Sequence, residues 1–196
     1  MRIASVRRKT RETEIQVELN LDGSGKYEID TGIGFFDHML TQIAVHGLFD
    51  LVIRAKGDLE IDAHHTVEDC GLALGEAFKD ALGDKRGITR YGSATVPMDD
   101  ALGQVVVDCS GRPYAVIKNS WISPEVGGLP TSLLDHFFES FAASSGSNIH
   151  LIVHHGRDNH HIAESLFKAL ARALAEAAAF RSRGAEMLPS SKEVLG

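Results

Sequence analysis

Phe35-Phe36-Asp37-His38-Met39-Leu40-Thr41-Gln42-Ile43-Ala44-Val45-His46-Gly47 and Leu133-Leu134-Asp135-His136-Phe137-Phe138-Glu139-Ser140-Phe141-Ala142-Ala143-Ser144-Ser145-Gly146 share one design. In each, an Asp-His pair opens an apolar helical stretch that a glycine ends. Asp37 and Asp135 are expected as N-caps, and Gly47 and Gly146 fit the C′ position. A short strand-like run follows each helix, Phe49–Arg54 in one case and Ile149–His154 in the other. A polar loop then leads to two adjacent histidines with a glutamate three residues beyond: His64-His65-Thr66-Val67-Glu68 and His160-His161-Ile162-Ala163-Glu164. The step from Asp-His to His-His is 26 residues in the first copy and 24 in the second, and the copies are offset by 98 and 96 residues. That offset is half the chain, and an internal duplication accounts for it.

Both His-His motifs open helices. Val67, Gly71, Leu74, Phe78 and Ala81 recur at three- and four-residue steps after the first, as do Ile162, Leu166, Leu170, Ala173 and Ala177 after the second. Asp62 and Asn159 are the expected caps. Strands precede each half. Ile15, Val17 and Leu19 alternate with Glu14, Gln16 and Glu18, and Asp22-Gly23-Ser24-Gly25 turns the chain before Tyr27–Ile29. Ser93–Val96, Val105–Asp108 and Tyr114–Lys118 are the strands of the second half, with Ser110-Gly111-Arg112-Pro113 as a turn. The order is strands–helix–strand–helix, twice: an α+β duplication with a helical layer packed on antiparallel or mixed sheet. Lys85-Arg86-Gly87 is the expected junction. This predicts one domain over 1–196, with half-repeats of about 1–86 and 87–180 and a C-terminal tail at 181–196.

Composition narrows the function classes. The 196 residues are 43% apolar and 24% charged, the balance of a globular protein rather than a disordered one. No apolar stretch has the roughly 20 residues of a membrane span, and the Ala-rich run near 169–180 is broken by Arg172 and Glu176. The N-terminus lacks the apolar core of a signal peptide. Cys70 and Cys109 are too few for a disulfide framework, so the cytoplasm is the expected compartment. The net charge is −7 and the basic residues are scattered, apart from a cluster at 2–11, which argues against a nucleic-acid partner.

Histidine stands out: there are ten. The duplicated set offers His38, His64, His65, Glu68, His136, His160, His161 and Glu164 as metal ligands. On a helix, Glu68 shares a face with His64 (i, i+4) and with His65 (i, i+3). Adjacent histidines point about 100° apart, so a vicinal pair serves two ions more readily than one. Eight ligands over two ions leave open octahedral positions, which suits catalysis. The plain alternative is a set of helix-terminal or surface histidines; a structural role alone does not require matched ligands at matched offsets. His46 reads as a complement to its helix dipole, and His150, His154 and His155 lie in or after a strand with no duplicate. Cys70 and Cys109 read as packing residues.

In these motifs the sequence resembles the imidazoleglycerol-phosphate dehydratase family of histidine biosynthesis. The matching segments run the length of the chain: Arg11-Glu12-Thr13, Leu21-Asp22-Gly23-Ser24-Gly25, Thr31-Gly32-Ile33-Gly34 into Phe35–Leu40, His64–Asp69, Arg90-Tyr91-Gly92, Pro97–Leu102, Ser110–Pro113, Asp135–Phe138, Asn159–Lys168 and Pro189-Ser190-Ser191-Lys192. The resemblance implies a stand-alone hydro-lyase that converts D-erythro-imidazole glycerol phosphate to imidazole acetol phosphate and water. It implies two Mn²⁺ per subunit, a duplicated fold of the ribosomal protein S5 domain 2-like type, and a homo-oligomer of 24 subunits built from trimers with sites between neighbours. The expected chemistry runs through a metal-bound imidazolate, which expels the adjacent hydroxyl to give a diazafulvene-like intermediate.

One expected ligand set is His38, His65, Glu164 and either His160 or His161. The other is His64, Glu68, His136 and the remaining member of the second pair. The resemblance places Glu12 and Gln42 beside the substrate, with His38, His64 and Glu68 facing both metal and substrate. Glu12, His65 and Glu164 are the catalytic candidates, and Asp99 and Asp100 are further acids that could equally be turn residues. Arg90, Arg112, Lys168, Ser190, Ser191 and Lys192 match phosphate-binding positions and suit an anion chemically. Lys168 could equally form a helix ion pair with Glu164. Glu193 stands where the family pattern has glycine, an acid beside a phosphate-binding lysine. The rival readings are a di-metal hydrolase and a non-catalytic metal-storage or metal-sensing protein; neither uses the arginine and lysine positions, and no basic recognition helix is evident for sensing.

Overall fold

The alternation in Thr13–Asn20 and the same alternation in Ala101–Asp108 place two equivalent strands in the structure, a computed structural model that describes residues 1–184, 186–192 and 194–195. The first half runs β1 (Ile3–Lys9), β2 (Thr13–Asn20), β3 (Tyr27–Asp30), α1 (Gly34–Gly47), β4 (Asp50–Gly57) and α2 (His64–Leu82). The second runs β5 (Tyr91–Met98), β6 (Ala101–Asp108), β7 (Tyr114–Lys118), a small hairpin of β8 (Glu125–Val126) and β9 (Leu129–Pro130), α3 (Thr131–Ser145), β10 (Asn148–His155) and α4 (Asn159–Ala178). The sheet orders are β1-β2-β4-β3 and β5-β6-β10-β7, the same topology twice. Each sheet is mixed: β3 runs parallel to β4 and β7 parallel to β10, while the other pairings are antiparallel. β2 and β6 bury the same four positions, Thr13, Ile15, Val17 and Leu19 in one and Ala101, Gly103, Val105 and Val107 in the other. The expected α+β duplication is therefore the fold; β1 and the β8–β9 hairpin add to the strands read from the sequence.

The helices lie between the two sheets. α2 packs on β1, β2 and β4, and α4 packs on β5, β6 and β10, through the apolar faces that their periodicity marks. Helices of opposite halves then meet, α1 against α4 and α2 against α3. Phe137 of α3 is the centre of this contact: its ring is 5.3 Å from Phe36 of α1, edge to face, and 5.3 Å from Phe167 of α4, stacked. α2 approaches α3 closely because Gly71 and Gly75 face it. A Cβ on Gly71 would lie 2.9 Å from the Phe137 carbonyl oxygen, and one on Gly75 would lie 2.6 Å from that of Phe141.

The helix termini differ from expectation in ways that matter for the site. Asp37 and Asp135 are not caps. α1 and α3 begin earlier, so each aspartate lies inside its helix and fastens the preceding segment. Asp37 Oδ1 accepts from the Thr31 amide (2.9 Å) and hydroxyl (2.6 Å), and Asp135 accepts from Asn119 Nδ2 (2.6 Å) and the Trp121 indole (3.2 Å). Capping α4 falls to Asp158, which receives the His160 and His161 amides, while Asn159 ties the helix to Ile122 and Ser123. Asp62 does accept the His64 amide at 2.8 Å. Gly146 takes the left-handed conformation that ends α3, but after α1 that conformation is taken by Leu48 (φ 55°) and not by Gly47.

Candidate metal centre

The pairing of α1 with α4 and of α2 with α3 decides which ligands meet. His38, one turn into α1, faces His160 and Glu164 on the first turns of α4. His38 Nε2 is 3.2 Å and His160 Nε2 3.1 Å from the same carboxylate oxygen, Glu164 Oε2. On the other side His136, one turn into α3, faces His64 and Glu68 of α2: His64 Nε2 lies 3.8 Å from Glu68 Oε2 and His136 Nε2 lies 3.7 Å from Glu68 Oε1. Within each trio the ligand atoms lie within 4.8 Å of one another. Each trio thus takes its Asp-His histidine from one half and its His-x-x-x-Glu pair from the other, a reciprocal exchange between the two halves.

The chemistry of these atoms fits a divalent ion. The separations in the second trio are too long for hydrogen bonds. His136 Nε2 is shielded from solvent and has no hydrogen-bond partner among the described residues, an unusual state for a buried ring nitrogen. Ligand atoms about 2.0–2.2 Å from a common ion stand roughly 3–3.6 Å apart, close to what is seen here. Two imidazoles and one carboxylate per trio leave positions for further ligands and for substrate.

His65 and His161 enter neither trio, as the 100° step between adjacent helical residues requires. The His64 and His65 rings are 84° apart in plane, and those of His160 and His161 77°. Both outlying rings are held through Nδ1. Asp58 holds His65 at 3.1 Å and Asp100 holds His161 at 2.6 Å, so Nε2 of each ring points away from the holding acid. The hydrogen bonds to these aspartates raise the pKa of both histidines. Asp100 in turn is pushed down to about 2 by His161 and by the Arg157 amide at 2.5 Å. Neither Asp58 nor this role of Asp100 is legible in the sequence, because each acid reaches its histidine from a loop outside the helix.

Glu164 is buried (7% exposed), and its two oxygens face different groups: Oε2 meets the imidazoles, while Oε1 meets Lys168 Nζ at 2.6 Å. Burial works to raise its pKa, but hydrogen bonds from Lys168, His38 and His160 outweigh that and hold the carboxyl below its ordinary value. The helix ion pair weighed for Lys168 is therefore formed. Gln42 lies beside this trio and donates to the His38 carbonyl at 3.1 Å. Glu12 projects from the β1–β2 turn with its carboxylate exposed and without a hydrogen-bond partner among the described residues; its charge helps to raise the pKa of His65.

The anion-binding candidates other than Lys168 lie elsewhere. Arg90 is nearly buried, pairs with Asp108 (2.7 and 3.0 Å) and donates to the Pro189 carbonyl (2.8 Å), which fastens the C-terminal tail. Arg112 is exposed on the β6–β7 turn. Ser190 accepts the Lys192 amide at 3.2 Å, and Ser191 and Lys192 are exposed. Glu193 lies outside the described residues. His46 belongs to neither trio, and burial lowers its pKa. His154 bonds Gln104 at 2.9 Å, His150 and His155 are exposed strand residues, and Cys70 and Cys109 are free and buried. No helix among the described residues is long and apolar enough to cross a membrane.

A family model described as imidazoleglycerol-phosphate dehydratase matches residues 31–174. A protein of that name from Zymomonas mobilis is 54% identical over 191 residues, covering 97% of this chain and 97% of its own. Another from Methanocella arvoryzae is 54% identical over 195 residues and covers 100% of both chains. Among solved structures, the imidazoleglycerol-phosphate dehydratase of Staphylococcus aureus superposes with a TM-score of 0.83 at 34% identity, over 91% of this chain and 99% of its own. The enzyme of Pyrococcus furiosus does so with a TM-score of 0.83 at 39% identity, over 97% and 100%.

Proposed function

Because the chain belongs to the imidazoleglycerol-phosphate dehydratase family, and is accordingly a hydro-lyase, we propose that it removes water from D-erythro-imidazole glycerol phosphate to give imidazole acetol phosphate in histidine biosynthesis. The observation that carries this reading is the pair of reciprocal His₂Glu trios, each with an unpartnered or converging set of ring nitrogens. They would hold two divalent ions per chain, which we take to be Mn²⁺. His38, His160 and Glu164 hold one, and His64, Glu68 and His136 the other. His65 and His161, each with Nδ1 on a carboxylate and Nε2 away from that acid, would supply the further ligand to ions of neighbouring copies; an acid behind a ligating imidazole fixes its tautomer and strengthens it as a donor.

The reaction breaks a C–H bond and the neighbouring C–O bond. The bound ions supply Lewis acidity and lower the pKa of the substrate's imidazole ring. The residues of the chain do the rest. Glu12, exposed and without a hydrogen-bond partner among the described residues, takes the carbon-bound proton on its carboxylate and returns it to the departing hydroxyl, which leaves as water, while His65 and Glu164 complete the catalytic set by holding and orienting. Gln42 sits against His38 and closes that side of the site. Asp99 and Asp100 serve the turn and His161.

Lys168, Arg90, Arg112, Ser190, Ser191 and Lys192 receive the phosphate, and they cannot all come from one chain. The Arg90 amide bonds Ala177, thirteen residues along α4 from Glu164, or about 20 Å at 1.5 Å per residue. Arg112 follows Gly111, which packs on Gly146, ten residues along α3 from His136, or about 15 Å. A substrate of this size does not bridge those distances, so one copy's arginines face another copy's metals. This supports a homo-oligomer with sites between subunits, and we take it to be a 24-mer of trimers. We place the single catalytic domain of 1–196 in the cytoplasm, consistent with two unpaired cysteines. Incubating the manganese-loaded protein with D-erythro-imidazole glycerol phosphate and measuring imidazole acetol phosphate tests the reading. Product formation that chelation abolishes is expected; binding of two ions with no product would leave a metal protein of another function.

A further inference from the structure

The β1–β2 turn that carries Glu12 is exposed, yet it is not loose. The Thr10 amide donates to the Thr13 carbonyl at 2.9 Å, and the Thr10 hydroxyl oxygen accepts the amides of Glu12 (3.1 Å) and Thr13 (3.0 Å). Thr10 Oγ1 lies 3.1 Å from Thr13 Oγ1, and the Thr13 hydroxyl donates to Asp69 Oδ2. Since the Thr13 proton goes to a carboxylate, Thr10 must be the donor between the two threonines, and the hydroxyls acquire one direction: Thr10 to Thr13 to Asp69. Asp69 is buried on α2 directly after Glu68, and its Oδ1 accepts from Arg8 Nε at 2.6 Å. The main-chain amide of Glu12 is thereby referenced, through two hydroxyls, to the helix that carries His64, His65 and Glu68.

We infer that Thr10, Thr13 and Asp69 form a hydrogen-bonded tether that sets the Glu12 turn against the metal-bearing helix, and that Thr13 and Asp69 are positioning residues for proton transfer. The inference rests on the reading of Glu12 as the proton-transfer group. The duplication supplies an internal control. β2 and β6 have identical burial patterns, which aligns Thr13 with Ala101 and Glu12 with Asp100. The 96-residue step from His64 to His160 aligns Asp69 with Ser165. In the second half no tether exists at these positions: Ala101 has no hydroxyl, and the Ser165 hydroxyl turns back to the Ile162 carbonyl at 2.8 Å. There the acid at the turn is already fixed by His161. A link that the fold itself needed would recur in both halves. It occurs only where the turn carries an acid without a hydrogen-bond partner among the described residues, whose position must be fixed through the backbone.

Thr13→Val removes the hydroxyl with little change of shape, and Thr13→Ser keeps it. Measured on the manganese-loaded enzyme, Thr13→Val is expected to lower kcat about 10- to 100-fold, the range for a misplaced reacting group, with KM and bound metal changed less than about twofold. Thr13→Ser should restore most of kcat. In a Glu12→Gln background, adding Thr13→Val should cost less than about a further twofold, because the group it positions has gone. An equal loss in both backgrounds, or an unchanged kcat in Thr13→Val alone, overturns the inference. Amide hydrogen exchange of the metal-free protein reads the tether without activity: exchange at 11–13 should quicken in Thr13→Val and not in Thr13→Ser, and unchanged exchange overturns it. Full activity of Glu12→Gln would instead overturn the role of Glu12, while the exchange result still decides whether the tether exists.

Discussion

Glu164→Gln separates the two tasks of one carboxylate. Oε2 faces His38 and His160, and Oε1 faces Lys168 at 2.6 Å, with 9% of the Glu164 side chain and 16% of the Lys168 side chain exposed. Breaking one partner of a fully buried pair costs about 3–5 kcal/mol; Lys168 keeps some contact with water, so about 2 kcal/mol is expected here. For a chain of this length that is a fall of roughly 4–8 °C in the Tm of the metal-free protein. The pair's contribution also follows pH. The folded carboxyl lies below its ordinary pKa of 4.5, so the contribution is present above that value and is lost as pH falls through the folded one; the Tm gap to Glu164→Gln closes on acidification. In the metal-binding role, loss of the only anionic ligand of its trio exceeds the 10- to 100-fold typical of outer partners, by about another decade, or roughly 3–4 kcal/mol in total. Metal analysis after gel filtration should therefore find two ions per chain in the parent and one in Glu164→Gln. Lys168→Met should lower the metal-free Tm and keep both ions. Two ions in Glu164→Gln, or loss of metal in Lys168→Met, would refute the division of the carboxylate.

Gly75→Leu tests the approach of α2 to α3: its Cβ would meet the Phe141 carbonyl (2.6 Å) and the Ser145 amide (2.9 Å), backbone atoms that no rotamer change can move. About 1–3 kcal/mol of stability and the His64–Glu68–His136 ion should be lost together; a stable variant with two ions would show that the approach does not set this trio. Asp100→Asn removes the acid that raises the His161 pKa, so NMR titration of the metal-free protein should find its midpoint moved down toward 6.5. The bond favours the imidazolium, so its contribution is complete below 6.5 and fades as pH rises through the folded pKa; an unmoved midpoint would contradict the contact. Arg112→Ala should raise KM for the phosphate substrate and leave two ions per chain, whereas loss of metal would make its role structural.

Much of this architecture is visible in the residue order because candidate metal ligands and buried faces both impose spacing. The 98- and 96-residue offsets mark the duplication, and the steps from Val67 to Ala81 and from Ile162 to Ala177 mark α2 and α4. What is not visible follows from contacts that leave no period. Asp37 and Asp135 satisfy the local rule for caps, yet tertiary partners at Thr31, Asn119 and Trp121 claim them inside the helices. The crossing of α1 to α4 and of α2 to α3, which builds each trio from both halves, depends on Phe137 filling the centre and on Gly71 and Gly75 admitting α3; periodicity alone is blind to which helix lies opposite. Arg90 suits a phosphate by type, but nothing in the sequence shows that Asp108, eighteen residues away, and the tail carbonyl of Pro189 already take three of its five donors and leave two for an anion.

The proposed dehydration needs two ions working together. Returning manganese in measured equivalents to the metal-free protein, and recording the rate of imidazole acetol phosphate formation at each step, tests that directly. The rate should stay low and break to its plateau at two equivalents per chain, as the two trios require. A plateau at one equivalent, or product formed at full rate with no metal returned, would contradict it.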